Sequence, residues 1–389
     1  MSARPDVVVA GAGIIGTMIA WHLARAGARV TLADPAPAAA SAPTATWASA
    51  GGLRRQGRSA ADQPLTLRAG ARWPGLAEEL GADLEAGFGG HLHIAERESE
   101  LPALRARLAA DRAAGIDIRW LEGADLRAVA PELTPRAVAG VWTPGDGQAH
   151  PGRVARAALD AFRGLGGAVR LGAPVALARS GDGVAGVMVG GAPLDAGLVI
   201  VAAGAWSAGL VAPLGLALPL RWRALTMLVS DPAPRDILGP TVTGVGRNLS
   251  LKQLRSGQFM LGGRWYAEPT GAGLAARPVD AHVAAQWSEG VAVLPRLAGL
   301  KLNQSWAGAE AQSPDGDPLI GRTRIPGLYL ACGFSNHGFQ ISPAVGEAVA
   351  EDVAGGGPKL LAPFDPHRLD GGDPAALARF RAEPILAVA

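Results

Sequence analysis

Two glycine-rich segments at opposite ends of the sequence each lead into an apolar run that favours a helix. The first is DVVVAGAGIIGTMIAWHLARAG (residues 6–27), and the second is ACGFSNHGFQISPAVGEAVA (residues 331–350). Glycine permits tight turns that leave backbone N–H groups exposed at a helix N-terminus, where the helix dipole also favours negative charge. The chemistry predicted for both segments is therefore the binding of an anion or of developing negative charge.

The first segment has the order of a dinucleotide-binding βαβ unit. An apolar strand precedes a G-x-G-x-x-G turn, an apolar helix follows to Gly27, and a second strand, RVTLAD, ends at Asp34. The glycines let the backbone approach a pyrophosphate, and Asp34 can accept hydrogen bonds from a ribose. The motif predicts FAD or NAD, while the acidic Asp34 argues against the 2′-phosphate of NADP. The turn residues are Gly11, Gly13, Ile14, Ile15 and Gly16.

The composition restricts the classes of protein that remain. The 389 residues are 49% hydrophobic and 18% charged, which predicts a large core spread over two or three domains. The net charge is +2, and no basic stripe with interleaved aromatic residues indicates nucleic-acid binding. The only cysteine, Cys332, excludes intramolecular disulfides and zinc sites with two or more thiolates, and we expect no metal site. Its apolar neighbours predict a buried core residue.

Residues 196–220 carry no charge and are long enough to span a bilayer. Glycine and proline interrupt this stretch, so it predicts a buried strand and a turn rather than a transmembrane helix. A strand pattern that begins by Asp6 leaves no room for a secretory leader, and a cytoplasmic location is expected.

Strand and helix patterns alternate along the chain. Rossmann-like elements occur at its start, middle and end, and strand-rich segments lie between them, which predicts a discontinuous cofactor domain and a second domain made from two insertions. Helical patterns cover residues 64–80, 99–115 and 151–165. Strand patterns run into Val175 and cover residues 183–202, 222–230 and 248–263.

Six segments together resemble the FAD-dependent D-amino acid oxidase superfamily, in the branch of glycine oxidase, monomeric sarcosine oxidase and the sarcosine or dimethylglycine dehydrogenases. They are residues 7–34, 46–57, 147–162, 198–207, 305–321 and 333–350. The resemblance implies an α/β fold with a discontinuous Rossmann-like FAD-binding domain and an α+β substrate domain built on an antiparallel sheet. The expected ranges are 1–85, 148–215 and 308–365 for the first, 86–147 and 216–307 for the second, and 366–389 for a C-terminal tail.

The resemblance also gives both glycine-rich turns a role. FAD is long, so the first turn takes its pyrophosphate, and the second places a helix N-terminus against the N1–C2=O edge of the flavin, which is negative when reduced. Non-covalent attachment is expected because Ala48 stands where some relatives have a flavin-linked histidine, and residues 307–313 contain no cysteine. The further expected contacts are Ala48, Ser49, Val175, Ala203, Gly204, Gly333, Ser335, Asn336, His337, Gly338, Phe339 and Gln340.

For the substrate, the resemblance implies an amine oxidised at a C–H bond, with an arginine for any carboxylate. Sarcosine oxidase-like relatives place that arginine where Arg54 and Arg55 stand, so we expect one of these two to bind it, although both could be surface residues. Their lysine position is Gln340. Glycine oxidase-like relatives have an arginine at the position of Glu310, which could instead pair with a nearby arginine here.

Other candidates for the substrate end are His337, Lys252 near the flavin, and Tyr266 with Trp265 at the pocket wall. His337 and Trp265 could equally be structural residues. The expected function is FAD-dependent oxidation of the C–N bond of a small amino acid or amine by hydride transfer to flavin N5. The resulting imine would hydrolyse, and oxygen or another electron acceptor would reoxidise the flavin.

Two alternatives stay open at this stage. One is another FAD-linked oxidoreductase, such as a hydroxylase or a 2-hydroxy-acid dehydrogenase, and the other is a flavoprotein subunit of a larger dehydrogenase complex. Flavin bleaching by an amine without NAD(P)H separates the expected function from a hydroxylase. Turnover by the isolated chain separates it from a dependent subunit.

Overall fold

A computed structural model describes residues 7–271, 273–357 and 359–383. Within these residues the strands are β1 (Val7–Ala10), β2 (Val30–Asp34), β3 (Gly52–Leu53), β4 (His91–Ala95), β5 (Arg119–Glu122), β6 (Ala139–Thr143), β7 (Gly147–Gln148), β8 (Ala168–Leu171), β9 (Val175–Ser180), β10 (Gly183–Val189), β11 (Ala192–Asp195), β12 (Leu198–Val201), β13 (Arg221–Pro232), β14 (Thr241–Gly244), β15 (Ser250–Gln253), β16 (Gln258–Gly262), β17 (Glu268–Pro269), β18 (Ala276–Arg277), β19 (Leu302–Gln312), β20 (Leu319–Arg322) and β21 (Leu328–Cys332).

The helices are α1 (Ile14–Arg25), α2 (Ala45–Ala48), α3 (Gln63–Glu79), α4 (Leu101–Ala113), α5 (Gly123–Val129), α6 (Pro151–Gly164), α7 (Ser207–Val211), α8 (Asp280–Val293), α9 (Gly338–Val353) and α10 (Pro374–Ala382). Short 3-10 helices occupy Glu98–Glu100, Gly204–Trp206, Ala212–Leu214, Pro295–Gly299 and Lys359–Phe364.

The first large sheet has six strands in the order β20-β21-β12-β1-β2-β8. Its neighbours are parallel except for β20, which runs antiparallel to β21. Successive side chains of a strand point to opposite faces. Val7 and Val9 therefore pack among α1, α3, α6 and α9, while Val8 packs on the other side with residues of β10. Burial on both faces explains why these strands are short and continuously apolar.

The second large sheet has eight strands in the order β19-β13-β16-β15-β14-β4-β6-β5. Its strand pairs are antiparallel apart from β14 with β4. The long strands β13 and β19 pair along most of their length, from Arg221 opposite Gln312 to Ser230 opposite Leu302. β19 also meets the first half of the molecule through a parallel bridge between Ala309 and Thr44.

Most predictions of fold and elements are confirmed. The α/β class with a second, mainly antiparallel sheet is correct, and Cys332 is fully buried, which raises the pKa of its thiol to about 12. Residues 198–201 form a strand, and no helix in the described part of the chain is long and apolar enough to cross a bilayer. One strand was misplaced: β8 ends at Leu171, and Val175 begins the next strand. The predicted domain ranges stay predictions, and their outer residues 1–6 and 384–389 lie outside the described residues.

Helices α1 and α9 cross closely at Gly346. A Cβ there would lie 2.7 Å from the carbonyl oxygen of Met18 and 2.8 Å from Cδ2 of the buried His22. Because backbone cannot yield as a flexible side chain does, the contact fixes how the two helices sit against each other.

We predict that Gly346→Ala lowers the free energy of unfolding by about 1–3 kcal/mol, because the added methyl overpacks this crossing. The matched control is Gly75→Ala in α3, where the nearest atom to an added Cβ is 4.0 Å away. The control should leave stability unchanged or raise it by up to about 1 kcal/mol, since alanine favours a helix more than glycine does. Chemical denaturation measures both, and equal stability of the two variants would show that the crossing adapts.

Candidate active site

A cavity of about 1710 Å³ extends from the turn after β1 to the second sheet. Pockets for drug-sized ligands are typically about 300–1,000 Å³, so this cavity has room for a large cofactor together with a small substrate. The predicted residues that line it are Gly11, Gly13, Ile14, Ile15, Asp34, Ala48, Ser49, Arg54, Val175, Ala203, Gly204, Glu310, Gly333, Ser335, Asn336, His337, Gly338, Phe339 and Gln340. The predicted residues Gly16, Arg55, Lys252 and Tyr266 do not line it.

Two of the three motif glycines are required by the protein's own backbone. Gly11 has a φ of 122°, and a Cβ there would lie 2.4 Å from the carbonyl oxygen of Ala202. A Cβ at Gly16 would lie 1.9 Å from the carbonyl oxygen of Gly11. These contacts hold the turn between β1 and α1 in a tight form whatever binds beside it.

Gly13, by contrast, has no backbone atom close in front of it, and a Cβ there would meet a single side-chain atom. The nearest atom to a Cβ built there is Oγ1 of Thr46, at 3.3 Å. No side chain caps α1 at Gly13, although the N–H of Ile14 donates to the same Thr46 hydroxyl at 3.0 Å. An open helix N-terminus offers N–H groups and the positive end of its dipole to an anion. The space at Gly13 therefore suits the close approach of a phosphate group.

Asp34 lies at the end of β2, where its carboxylate is held in place by two backbone N–H groups. Ala12 donates to Oδ2 at 2.6 Å, and Ala36 donates to Oδ1 at 2.7 Å. A carboxylate offers about four lone-pair positions, so each oxygen can still accept a hydrogen bond from a ligand hydroxyl. The position fits the ribose contact that the motif predicts.

The second glycine-rich segment reaches α9 through an unusual backbone. Three residues of this segment have positive φ values: 75° at Gly333, 46° at Ser335 and 70° at Asn336. This left-handed conformation is strained for the two residues that are not glycine. The N-cap residue of α9, His337, makes no side-chain capping hydrogen bond. The first turn of α9, which includes Gly338, lines the same cavity as the first turn of α1.

Several side chains of this segment are already engaged within the protein. The hydroxyl of Ser335 accepts from the N–H of Ser313 at 3.1 Å and donates to the carbonyl oxygen of Gly333 at 3.2 Å. Within α9, the hydroxyl of Ser342 donates to the Phe339 carbonyl at 2.9 Å, which compensates for the missing N–H of the following proline. The Ser335 hydroxyl is therefore engaged within the protein, and the backbone of the first turn of α9, which lines the cavity, is the better source of donors for a ligand.

The side chain of Gln340 also points away from the predicted role at the substrate end. Its amide nitrogen donates to the carbonyl oxygen of Thr66 on α3 at 3.1 Å, and the residue is 2% exposed. Its own carbonyl oxygen accepts from the indole N–H of Trp73 at 2.7 Å. Gln340 thus joins α9 to α3. The expectation that Gln340 stands where sarcosine oxidase-like relatives have a lysine gave no indication of this contact.

The structure separates Arg54 from Arg55. Arg55 turns away from the cavity and donates from Nε to the buried Asp146 at 2.7 Å, and its backbone N–H donates to the same carboxylate at 3.0 Å. Arg54 lines the cavity and makes no side-chain hydrogen bond or ion pair with any described residue. Burial, and then the neighbouring Arg58 and Arg107, lower the pKa of Arg54 to about 9, so it remains a cation at neutral pH.

Glu310 is 8% exposed, and burial raises its pKa to about 7. Oε1 accepts from the side-chain amide of Gln312 at 2.7 Å. The backbone N–H of Asn336 donates to the same carboxylate. The side-chain amide of Asn336 also donates to this carboxylate when its nitrogen, rather than its oxygen, faces Glu310. Arg223 stands opposite on β13 but donates to the carbonyl oxygen of Glu383 at 2.7 Å. Among the described residues Glu310 has no ion pair, so the pairing with a nearby arginine is not found.

Three other candidates lie behind the cavity wall. Lys252 is 2% exposed and donates to the carbonyl oxygen of the lining residue Ala50, and burial alone lowers its pKa to about 7. Tyr266 is half-buried outside the cavity lining. Trp265 is buried, and its indole N–H donates to the carbonyl oxygen of Asn248 at 2.7 Å, which is the packing role left open above. None of the three lines the cavity.

His337 lines the cavity close to a buried aspartate that sequence reasoning missed. Its Nδ1 lies 3.7 Å from Oδ2 of Asp62, which is 1% exposed. Burial, followed by Arg58 and Arg54, holds the pKa of His337 well below its usual value, so the imidazole is neutral at neutral pH. Asp62 immediately precedes α3 and lies far from His337 in the sequence, so no sequence pattern indicated that the two side chains are close.

Sequence reasoning also missed the far end of the cavity, which is lined by His91, His93, Arg58, Arg107 and Thr243. Arg58 follows Arg54 by four residues, one residue past the segment 46–57 that carries the resemblance, so it could have been considered with Arg54. The others come from β4, α4 and β14, and only the fold brings them together.

The cavity residues fit FAD on three observations. The space at Gly13 would be filled by a side chain, Asp34 keeps acceptor capacity, and two helices begin at the cavity without side-chain caps. The phosphates suit the first helix N-terminus, and the electron-accepting ring suits the second.

Comparisons with known proteins extend over both sheets. A sequence model of the family described as FAD dependent oxidoreductase (DAO) matches residues 6–352. A glycine oxidase of Bacillus licheniformis is 28% identical over 373 residues, which cover 91% of this chain and 94% of the relative. A sarcosine oxidase subunit beta of Rhodobacter capsulatus is 25% identical over 394 residues, which cover 95% and 89%. The solved structure of L-proline dehydrogenase from P. horikoshii has a TM-score of 0.88 and 26% identity, covering 96% of this chain and 100% of that one.

We predict that Gly13→Ala weakens FAD binding by roughly tenfold or more, because the methyl group takes space that the phosphates need. The unfolding midpoint of the apoprotein should stay close to that of the wild type, since only Thr46 Oγ1 lies near the added Cβ. Titration of the apoprotein with FAD measures the affinity for FAD, and thermal unfolding measures the unfolding midpoint. Gly164→Ala is the control, because no atom lies within 4 Å of a Cβ there. Unchanged FAD affinity in Gly13→Ala would refute the assignment of this turn.

We predict a pH-dependent difference in stability between Glu310→Gln and the wild-type apoprotein. The pKa of Glu310 rises from 4.5 to about 7 on folding, so the folded state holds a proton that the unfolded state releases in this window. The contribution is present below about pH 4.5 and is lost as the pH rises through 7, by up to about 3 kcal/mol at about 1.4 kcal/mol per pKa unit.

The wild type should therefore lose stability relative to Glu310→Gln between about pH 5 and pH 8. Denaturant unfolding across this range measures the difference, and Glu132→Gln, at a carboxylate outside the cavity wall, controls for the substitution. A difference between wild type and Glu310→Gln that does not change with pH would mean that Glu310 is already ionised in the folded protein.

Proposed function

The chain belongs to the FAD-dependent oxidoreductase family, and we propose that within this family it oxidises the C–N bond of a small amino acid or amine. The observation that carries the proposal is Arg54, an unpaired guanidinium on the wall of the cavity that both uncapped helix N-termini enter. Arg54 is half-buried, so a cation there without a partner is costly, and a substrate carboxylate would satisfy it with charge-assisted hydrogen bonds.

Each part of the cavity has a proposed role. Gly13 and the first turn of α1 hold the pyrophosphate of FAD, Asp34 holds the ribose, and the first turn of α9 holds the flavin. When bound, FAD supplies the acceptor for the hydride that leaves the carbon bearing the amine. The remaining imine takes up water and separates into a carbonyl compound and an amine, so two electrons leave the substrate in each cycle. Attachment of FAD is proposed to be non-covalent, because Ala48 offers no nucleophile and the buried Cys332 is a thiol at neutral pH.

Glu310 is proposed to serve the amine. Hydride can leave only when the nitrogen has a free lone pair, so a substrate ammonium must first lose a proton. With a pKa near 7, the Glu310 carboxylate can accept that proton at neutral pH, and its negative form attracts an ammonium. A carboxylate at this position would repel the carboxylate of glycine if it bound there, so we expect glycine to be a poor substrate. His337, held beside Asp62, also lines the cavity but is a poor proton acceptor, because burial holds its pKa well below its usual value.

The proposed function is tested by anaerobic bleaching of the bound flavin. The purified holoprotein is mixed with a panel of amino acids, imino acids and amines without NAD(P)H, and the carbonyl product is then identified. Bleaching by a small amino acid with release of the matching carbonyl compound supports the proposal. Bleaching that requires NAD(P)H, or that occurs only with 2-hydroxy acids, would favour the other FAD-linked reactions. Reoxidation by oxygen, compared with an artificial acceptor, then identifies the type of electron acceptor.

We predict that Arg54→Met lowers kcat/KM for the best amino acid by about tenfold to a hundredfold, the effect of losing a charge-assisted contact worth about 1.5–3 kcal/mol. The same substrate without its carboxylate should change by no more than about threefold, because it never used the arginine. Arg264→Met is the control, since Arg264 also lines the cavity but is exposed. Equal losses for the acid and its descarboxy analogue would show that Arg54 does not bind the carboxylate.

A further inference from the structure

The cavity continues beyond Arg54 into a polar end, here called the arginine end, formed by Arg54, Arg58, Arg107, His91 and Thr243. These residues come from the loop after β3, from α4, and from β4 and β14 of the second sheet. One carboxylate of an amino acid would occupy Arg54 alone. The proposed function therefore leaves the rest of the arginine end without a ligand group.

Several donors of the arginine end have no partner among the described residues. Arg58 has a side chain that is 3% exposed, and its Nη1 is buried without a hydrogen bond, although Nη2 donates to the Arg54 carbonyl at 2.8 Å. Nη1 of Arg107 is likewise buried without a hydrogen bond. Nδ1 of His91, which is 2% exposed, also has none. Buried polar groups are normally satisfied, so this concentration of unsatisfied atoms points to a ligand with acceptor oxygens.

Nearby carboxylates do not satisfy these donors. Asp146 pairs with Arg55, and both oxygens of Asp111 accept from the N–H of Gly57, at 3.0 and 3.1 Å. Asp62 lies 4.0 Å from Nε of Arg58. Arg107 thus remains, like Arg54, without an ion pair in the part of the chain that the structure describes.

The histidines contribute hydrogen bonds without adding charge. Burial, followed by Arg54, holds the pKa of His91 well below its usual value, and burial followed by Arg107 lowers that of His93 to about 3. Thr243 fixes both rings, because its hydroxyl lies 2.7 Å from Nδ1 of His93 and 3.2 Å from Nε2 of His91. The part of the cavity lining formed by the two histidines is therefore neutral, polar and held in place.

The two arginines without an ion pair indicate which ligand group suits this place. Arg54 and Arg107 both line the cavity, and neither forms an ion pair with a residue that the structure describes. A ligand with two carboxylates offers an anionic group to each of these guanidinium groups.

We propose that the substrate is a small amino acid with two carboxylates, one bound by Arg54 and the second by Arg107 with Arg58 and His91. The second carboxylate is carried by the side chain or by the substituent on nitrogen. This inference rests on the proposed function, and the reaction is unchanged: hydride leaves to FAD, the amine proton leaves to the protein, and water cleaves the imine.

The test compares substrates that differ by one carboxylate. The pairs are iminodiacetate with sarcosine, and aspartate with alanine in both enantiomers. The wild type should have at least roughly tenfold higher kcat/KM for the two-carboxylate member of a pair it accepts, because a charge-assisted contact is gained. Arg107→Met should lower that value by about tenfold to a hundredfold and change the one-carboxylate partner by no more than about threefold.

The control variant is Arg105→Met, on the same helix, whose guanidinium lies 4.4 Å from the ring centre of Trp120 and is exposed. It should leave both members of each pair unchanged. Equal losses for both members in Arg107→Met, or no preference of the wild type for the second carboxylate, would overturn the proposal.

A binding measurement separates this inference from the proposed function. Glutarate and butyrate differ by one carboxylate and cannot be oxidised as amines, and the shift in the flavin absorbance of the wild-type holoprotein reports their affinity. Tighter binding of glutarate than of butyrate, lost in Arg107→Met, supports the second carboxylate site. If this result is obtained but no amine bleaches the flavin, the proposed function is refuted and the second carboxylate site is not. Bleaching by one-carboxylate amino acids together with equal binding of glutarate and butyrate would refute the inference alone.

Discussion

Unsatisfied hydrogen-bond donors around one cavity are the constraint on which the rest of this structure depends. Helices α1 and α9 both begin at its wall without a side-chain cap from their own N-cap residues, and Arg54 lines the same cavity without an anionic partner among the described residues. Each arrangement costs free energy in the protein by itself and is favourable only beside negative charge. The N-terminus of α1 suits phosphates, the N-terminus of α9 suits a reduced flavin, and the Arg54 guanidinium suits a carboxylate. Together these donors complement the negative charges of a cofactor and its substrate.

The two sheets hold these donors at fixed positions. The parallel sheet supports both helices, which cross at Gly346 where no side chain fits between them. Strand β19 of the second sheet packs against α2, so closely that a Cβ at Gly308 would lie 2.2 Å from that of Ala48. Glu310 follows two residues later on the same strand. The helix α2 and the end of β19 are therefore parts of one packed unit, which would hold a cofactor and a substrate bound in this cavity in a fixed orientation.

The sequence was informative where function depends on local backbone. The glycine turns, Asp34 and the strands around them follow from chain spacing and apolar patterning, and the structure places them as expected. Side-chain direction was less predictable. Nothing in the sequence distinguishes Arg54 from Arg55, since only the buried Asp146, distant in the chain, draws one of them away. The hydrogen bond from the Gln340 side chain to α3 was equally invisible in the sequence, and the arginine end was missed because α4, β4 and β14 meet only in the folded protein.

The most direct test of the account is an electron-density map of the crystalline holoprotein soaked with an unreactive carboxylate such as butyrate. The account predicts that the FAD phosphates lie at the first turn of α1, the flavin lies at the first turn of α9, and the carboxylate forms hydrogen bonds with the Arg54 guanidinium. A flavin bound away from α9, or a carboxylate bound elsewhere while Arg54 remains without a partner, would contradict it.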